Sequence, residues 1–133
     1  MKKFVHVSGK RKHAIARATL KPGKGIVRIN SILLENYQPA LARHRIEEAL
    51  QLAGDNARKV NIHVTVFGGG WQAQSEAARL AIARSLVEFT GSKELKKTYL
   101  DYDRHLLIAD VRRNEPHKPN DSKPRRKRAK SYR

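Results

Sequence analysis

VNIHVTVFGGGWQAQSEAARLAIARSLVEF, residues 60–89, reads as a strand, a break and a helix in succession. Val60, Ile62, Val64 and Val66 alternate with Asn61, His63 and Thr65. That period of two belongs to a strand with one face buried and the other wet or against a partner. Gly68, Gly69 and Gly70 end the alternation. From Trp71 the pattern becomes helical, with Ala78, Ile82, Leu86 and Phe89 on one stripe. Ala77, Ala78, Ala81 and Ala83 are small enough to let this helix lie close on a sheet.

Outward from this unit the same two periods recur. Residues 4–7, FVHV, are short and β-prone, and Ala14, Ala16, Ala18 and Leu20 alternate with His13, Ile15, Arg17 and Thr19. Lys21-Pro22-Gly23-Lys24-Gly25 has turn chemistry and leads into residues 26–29, IVRI, so these two strands are expected to form a hairpin. Pro39 and Gly54 bracket a helix that carries Ala42, Ile46, Ala49, Leu50 and Ala53 on one face and Arg43, Arg45, Glu47 and Glu48 on the other. Thr90-Gly91-Ser92 stops the later helix, and residues 93–100 add a further helical turn or two. Residues 106–111, LLIADV, form the last apolar anchor before Pro116, Pro119 and Pro124 forbid regular structure. The expected architecture is α+β: one sheet with two covering helices over residues 1–111, then an extended basic tail over 112–133.

Charge narrows the function. Twenty-nine Lys and Arg against 12 Asp and Glu give a net of +17 and a pI near 10.7, which calls for a polyanionic partner. From Arg112 onward ten basic and two acidic residues give +8 in 22 positions. The last eleven residues, KPRRKRAKSYR, hold seven cations and no acid, too little apolar surface to offset the entropy of ordering. Such a tail takes its shape on a partner. The absence of cysteine removes disulfides and thiolate chemistry. The start lacks an apolar run of signal-peptide length and no segment reads as a membrane span, so a cytoplasmic location is expected.

Chemistry-bearing motifs are sparse. The Gly-rich turn lacks the Gly-Lys-Ser/Thr ending of a P-loop and the interrupted spacing of a dinucleotide fingerprint. It reads as a strand-to-helix turn, with contact to an RNA phosphate left open. The six histidines contain no i, i+4 pair, so no metal site is expected. Asp101 with Asp103, and Glu47 with Glu48, are not placed as acid/base dyads. Ser8 and Ser75 have no nucleophile elbow. No catalytic residue, cofactor or small-molecule substrate is expected. Lys10, Arg11 and Lys12, by contrast, stand together between strand-like segments and, with Arg17 and Arg28 on strands, suggest an extended phosphate-binding surface. In the tail, arginine forks suit phosphate and Tyr132 offers a face for stacking. The prolines and the lack of an apolar face argue against a membrane partner. No helix-turn-helix or zinc finger is present to read duplex bases.

SGKRKHAIARATLKPGKG, FGGGWQAQSEAARLAIARSLVEF and LLIADVRRNEPHKPNDSKPRRKRAKSYR together resemble the small-subunit ribosomal protein nine family in its archaeal and eukaryotic-like form. The likeness spans nearly the whole chain and departs at Ala73, where the family usually has another glycine before Gln74. It implies a ribosomal-protein-S5-second-domain-like fold, a four-stranded sheet with two packed helices, seated in the head of the small subunit among neighbouring head proteins. It implies rRNA contacts by Lys10, Arg11, Lys12, Arg17 and Arg28 of the body and Arg112, Arg113, Lys118, Lys123, Arg125, Arg126, Lys127 and Arg128 of the tail. Lys130, Ser131, Tyr132 and Arg133 would lie nearest the anticodon stem-loop of peptidyl-site (P-site) tRNA. The alternative reading is a DNA-compacting or RNA-chaperone protein without a fixed site, which would protect any duplex uniformly.

Binding through displaced counterions is steeply salt-dependent. For 6 to 10 phosphate contacts, affinity for RNA should fall by about 10³ to 10⁵ between roughly 50 and 200 mM salt. A filter-binding series across that range checks this, and a flat response would remove the electrostatic basis of the reading.

Overall fold

The computed structural model describes residues 4–132. Five strands, β1 (Val5–Arg11), β2 (Ala14–Pro22), β3 (Val27–Ile29), β4 (Ile32–Leu33) and β5 (Val60–Phe67), form one sheet in the order β1-β2-β5-β3-β4. β1 runs antiparallel to β2, β2 to β5 and β4 to β3, whereas β3 is parallel to β5. The helices are α1 (Ala40–Ala53), the single turn α2 (Asp55–Arg58), α3 (Trp71–Thr90) and α4 (Lys93–Tyr102). The α+β class holds.

Two expectations are corrected. The sheet has five strands rather than four. β4 is two residues long, too short to show any alternation, and joins β3 through a two-residue turn in which both Asn30 and Ser31 have positive φ. Nor do β2 and β3 form a hairpin, because β5 lies between them. The connection between β2 and β3 closes around β5 instead: Gly23 N–H donates to the Lys59 carbonyl (2.9 Å) and Gly25 N–H to that of Val60 (3.0 Å). Asn61 Oδ1 accepts from the backbone N–H of Lys24 (2.9 Å) and Ile26 (3.1 Å). The true first hairpin is β1–β2, turning at Lys12 and His13. Its first strand is longer than residues 4–7 because the polar run Ser8-Gly9-Lys10-Arg11 still pairs with β2.

Both long helices fall where the periodicity places them. Pro39 and Gly54 cap α1, and Gly91 ends α3 in the left-handed region. α3 packs on β1, β2 and β5, and α1 lies beside α3. Ala14, Ala16, Ala18, Leu20, Val60, Ile62, Val64 and Val66 point into this core with Ile46, Ala78, Ile82 and Leu86. α4 is a third packed helix, ten residues long; its Tyr99 is fully buried and donates to the Ala49 carbonyl at 2.7 Å. The anchor expected over 106–111 holds through buried Leu106 and partly buried Leu107, while Val111 is 82% exposed.

The contact between α3 and β1 is close enough to exclude a side chain at Gly9, where a Cβ would meet the Ala77 carbonyl oxygen and come within 2.9 Å of the Ala81 nitrogen. Gly9→Ala is therefore expected to cost about 1–3 kcal/mol of unfolding free energy, as overpacking does. Gly70→Ser, in open space at the α3 N-cap, should be neutral or slightly stabilising. Urea unfolding of the two variants tests the contrast; equal midpoints would show that α3 can lift off β1 freely.

Candidate nucleic-acid interface

The helices cover one side of the sheet, and side chains of the other side stand in cross-strand rows. Register places Lys10, Ile15 and Phe67 in one row, Ser8, Arg17 and Thr65 in the next, then His6, Thr19, His63 and Arg28, then Lys21 and Asn61. No strand contains an Asp or a Glu. Among the described residues, Lys10, Lys12, Arg17, Lys21 and Arg28 make no ion pair, whereas Arg11, Arg43, Arg45 and Arg79 do. The Arg17 guanidinium lies 5.4 Å from the Phe67 ring centroid, and His6 Nδ1 is 2.9 Å from Thr19 Oγ1. A sheet face of this kind offers fixed cations interleaved with aromatic and hydroxyl groups, with no carboxylate to compete for them.

Arg11 stands apart from Lys10 and Lys12. Pleating turns it to the helical side, where its Nε is 2.7 Å from Glu76 Oε2 and its Nη1 3.4 Å from Asp110 Oδ2. Glu76 also meets Arg45 at 3.4 Å, and Arg79 joins Glu48 (2.9 Å) to Asp103 (3.0 Å). Arg84 donates to the carbonyls of Leu107 (2.8 Å) and Ser8 (3.2 Å). Together these groups tie residues 103–110 to α3 and β1. The sequence reading missed Arg79 and Arg84, which look like ordinary polar positions of an amphipathic helix. The Arg112 guanidinium and N–H hold the Asp110 carboxyl well below the usual carboxylate range. Burial alone would raise that of Asp103, but the His105 N–H and the Arg79 guanidinium outweigh it and hold it below its ordinary value.

Among the described residues no helix or strand forms beyond residue 106, and residues 111–120 are all exposed. Arg112 pairs with Asp110 (2.6 Å), Arg125 with Glu115 (2.7 Å) and Arg128 with Asp121 (3.4 Å). Arg113 donates to the carbonyls of Asp110 and Arg112. Exposed pairs of this sort are weak and screened by salt, so they yield readily to a polyphosphate. Lys118, Lys123, Arg126, Lys127 and Lys130 have no carboxylate partner among the described residues. Ser131 is exposed and Tyr132 is 87% exposed; Arg133 lies outside the described residues.

The glycine turn has a structural reason. Gly68 and Gly69 have positive φ, and a Cβ on Gly68 would collide with the His13 carbonyl oxygen, so the turn seats directly on the β1–β2 connection. Gln74 Nε2 closes it by donating to the Gly68 carbonyl at 3.1 Å. The Ser75 hydroxyl donates to the Gln72 carbonyl. Among the described residues no cluster of His, Asp and Glu could hold a metal, and no helix is long and apolar enough to cross a membrane.

Fold and charge define an α+β protein that offers unpaired cations on an uncovered sheet face and along its C-terminal segment. Comparison with known proteins gives the family: the model for ribosomal protein S9/S16 matches residues 9–133. The small ribosomal subunit protein uS9 of Methanococcus maripaludis strain C7 is 48% identical over 133 residues, covering 98% of this chain and 99% of that protein. Its counterpart in strain C5 shows the same identity and coverage. The chain belongs to the ribosomal protein S9/S16 family, whose members are structural rather than enzymatic.

Because Asp103 and Asp110 both titrate below their ordinary value, both should remain ionised through neutral and mildly acidic pH. Any stability they add is present above the ordinary carboxylate pKa of about 3.9 and is lost only as pH falls through the depressed values. Carboxyl-carbon NMR titration should find both midpoints below the ordinary aspartate value of about 3.9. Midpoints at that ordinary value would mean that the pairs at the root of the tail do not persist in solution.

Proposed function

We propose that this chain is a structural constituent of the small subunit of the cytoplasmic ribosome, bound to rRNA of the subunit head beside other head proteins. The observation that carries the reading is the segregation of charge: among the described residues every strand is free of acid, and Lys10, Arg17, Lys21 and Arg28 make no ion pair while Arg11 is turned to the helical side. Membership of the family and near-full-length likeness to small-subunit proteins support the assignment to that particle. Lys10, Lys12, Arg17 and Arg28 serve as body contacts to rRNA. Arg11 acts mainly by holding the end of β1 against α3, since Glu76 and Asp110 already engage it.

The body ends at residue 111, and residues 112–133 run as an extended tail. Arg112, Arg113, Lys118, Lys123, Arg125, Arg126, Lys127 and Arg128 exchange weak internal pairs, or water, for rRNA phosphates. Lys130, Ser131, Tyr132 and Arg133 reach the anticodon stem-loop of P-site tRNA and hold it by contacts independent of codon. No catalytic group is needed, because release of condensed counterions supplies the binding free energy.

Removing residues 130–133 should weaken retention of P-site tRNA on isolated small subunits while leaving assembly nearly intact. Tetra-deleted and wild-type subunits are compared by tRNA filter binding and by sedimentation. Equal tRNA retention would refute the assignment of the tail end. Failure of the wild-type chain to enter small subunits would refute the ribosomal reading as a whole.

A further inference from the structure

The uncovered sheet face is not uniformly flat. Where the connection between β2 and β3 rises beside β5, Thr19, Lys21, Ile26, Arg28, Asn61 and His63 surround a concavity of about 640 Å³. Its volume falls within the range that holds small organic ligands. Its chemistry is layered. Ile26, 42% exposed, gives an apolar wall. Thr19, Asn61 and His63 add polar groups to the lining, and Lys21 and Arg28 contribute charge without a carboxylate partner among the described residues.

Asn61 is the most informative group. Its Oδ1 already accepts two backbone N–H groups, from Lys24 and Ile26. That fixes which end of the amide is which, and it leaves Nδ2 as an oriented donor with no protein acceptor among the described residues. Beside it on the same strand, His63 is exposed and its ring makes no hydrogen bond among the described residues. Thr19 Oγ1 is held by His6 and retains acceptor or donor capacity. An apolar wall, an oriented amide donor, a hydroxyl and flanking cations match the face, the edge and the phosphates of a nucleotide. Duplex phosphates would use the cations alone and leave the wall and the amide idle.

We propose that this concavity receives one unpaired nucleotide of an RNA strand, its base against Ile26 and hydrogen-bonded by Asn61 Nδ2, its phosphates on Lys21 and Arg28. The site would read an extruded or looped-out base, in keeping with the way proteins recognise RNA outside its helices. Nothing encloses the phosphate, so the nucleotide is held as part of a strand whose neighbours bind the rest of the face. This inference rests on the RNA-binding reading above.

The test uses the full chain, with a short single-stranded RNA carrying 4-thiouridine and a blunt RNA duplex of equal length. Ile26→Ser should weaken the single strand about tenfold, the scale of one lost base contact. Duplex affinity should stay unchanged. Arg28→Gln should weaken both ligands by a similar factor, as loss of a phosphate contact does. Photo-crosslinks should fall on residues 19–28 or 61–63. If Ile26→Ser folds poorly, Ile26→Thr, which keeps the β-branched shape of the wall, replaces it with the same expectation. An Ile26 variant that weakens both ligands alike or neither, or crosslinks confined to the tail, overturns the nucleotide site while leaving RNA binding intact. Failure of the wild-type chain to bind either RNA would overturn the reading beneath it as well.

Discussion

The fold depends on how closely α3 lies over the sheet. At Gly9 the backbone of β1 runs directly beneath Ala77 and Ala81, with no room for a Cβ between them. The approach is possible because α3 presents alanine along that side, and because Ala14, Ala16 and Ala18 on β2 are equally small. Small side chains bury little area each, so larger residues must supply the hydrophobic stabilisation. Leu20, Ile46, Ile62, Ile82, Leu86 and Tyr99, all fully buried, do so, each contributing about 1.5–3 kcal/mol before entropy is counted. Since α1 and α4 pack with α3 rather than across the sheet, the opposite sheet face is left without a cover.

That one-sided arrangement sorts charge. Every carboxylate of the body sits on a helix or in a connection between elements, where Glu48, Glu76 and Asp103 meet Arg45 and Arg79. The acids are thus occupied on the covered side, in a partly buried network whose loss would strand arginine charges. On the other side no acid is within the strands to neutralise Lys10, Arg17, Lys21 or Arg28. A net charge of +17 could in principle be spread evenly. Here the fold leaves unpaired cations on a sheet face whose strands carry no acid and along one terminus, and a cationic surface of that kind can steer a polyanion.

Much of this was legible in the amino-acid pattern, and the failures have physical causes. The alternation at residues 13–20 and 60–67 and the stripes of α1 and α3 are long enough for periodicity to speak, and the residues they indicate are buried except Leu50, which is partly so. β4 was invisible because two residues carry no period. The β2–β3 hairpin was misread because turn chemistry at 21–25 specifies a bend but not which strand pairs afterward; the Asn61 amide decides that from 35 or more residues away in sequence. Arg11 looked like its neighbours, and only the pleat of β1 turned it toward Glu76. The concavity beside Ile26 needed three strands brought together and had no signature in any one of them.

The same ion pairs that consume Arg11 solve a mechanical problem for the tail. A free strand of cations loses about 1–2 kcal/mol of backbone freedom for each residue that a partner orders, so it binds poorly if it must find its groove from solution. Arg84 and Arg11, by holding Leu107 and Asp110 against α3 and β1, fix the point from which the strand departs. A segment tethered in this way to a body that is itself bound searches a small volume, so that any binding of its own is effectively intramolecular. The acids at 103 and 110 thus act where the body ends, pairing with Arg79, Arg11 and Arg112 and so fixing the root of a segment that beyond it is predominantly cationic.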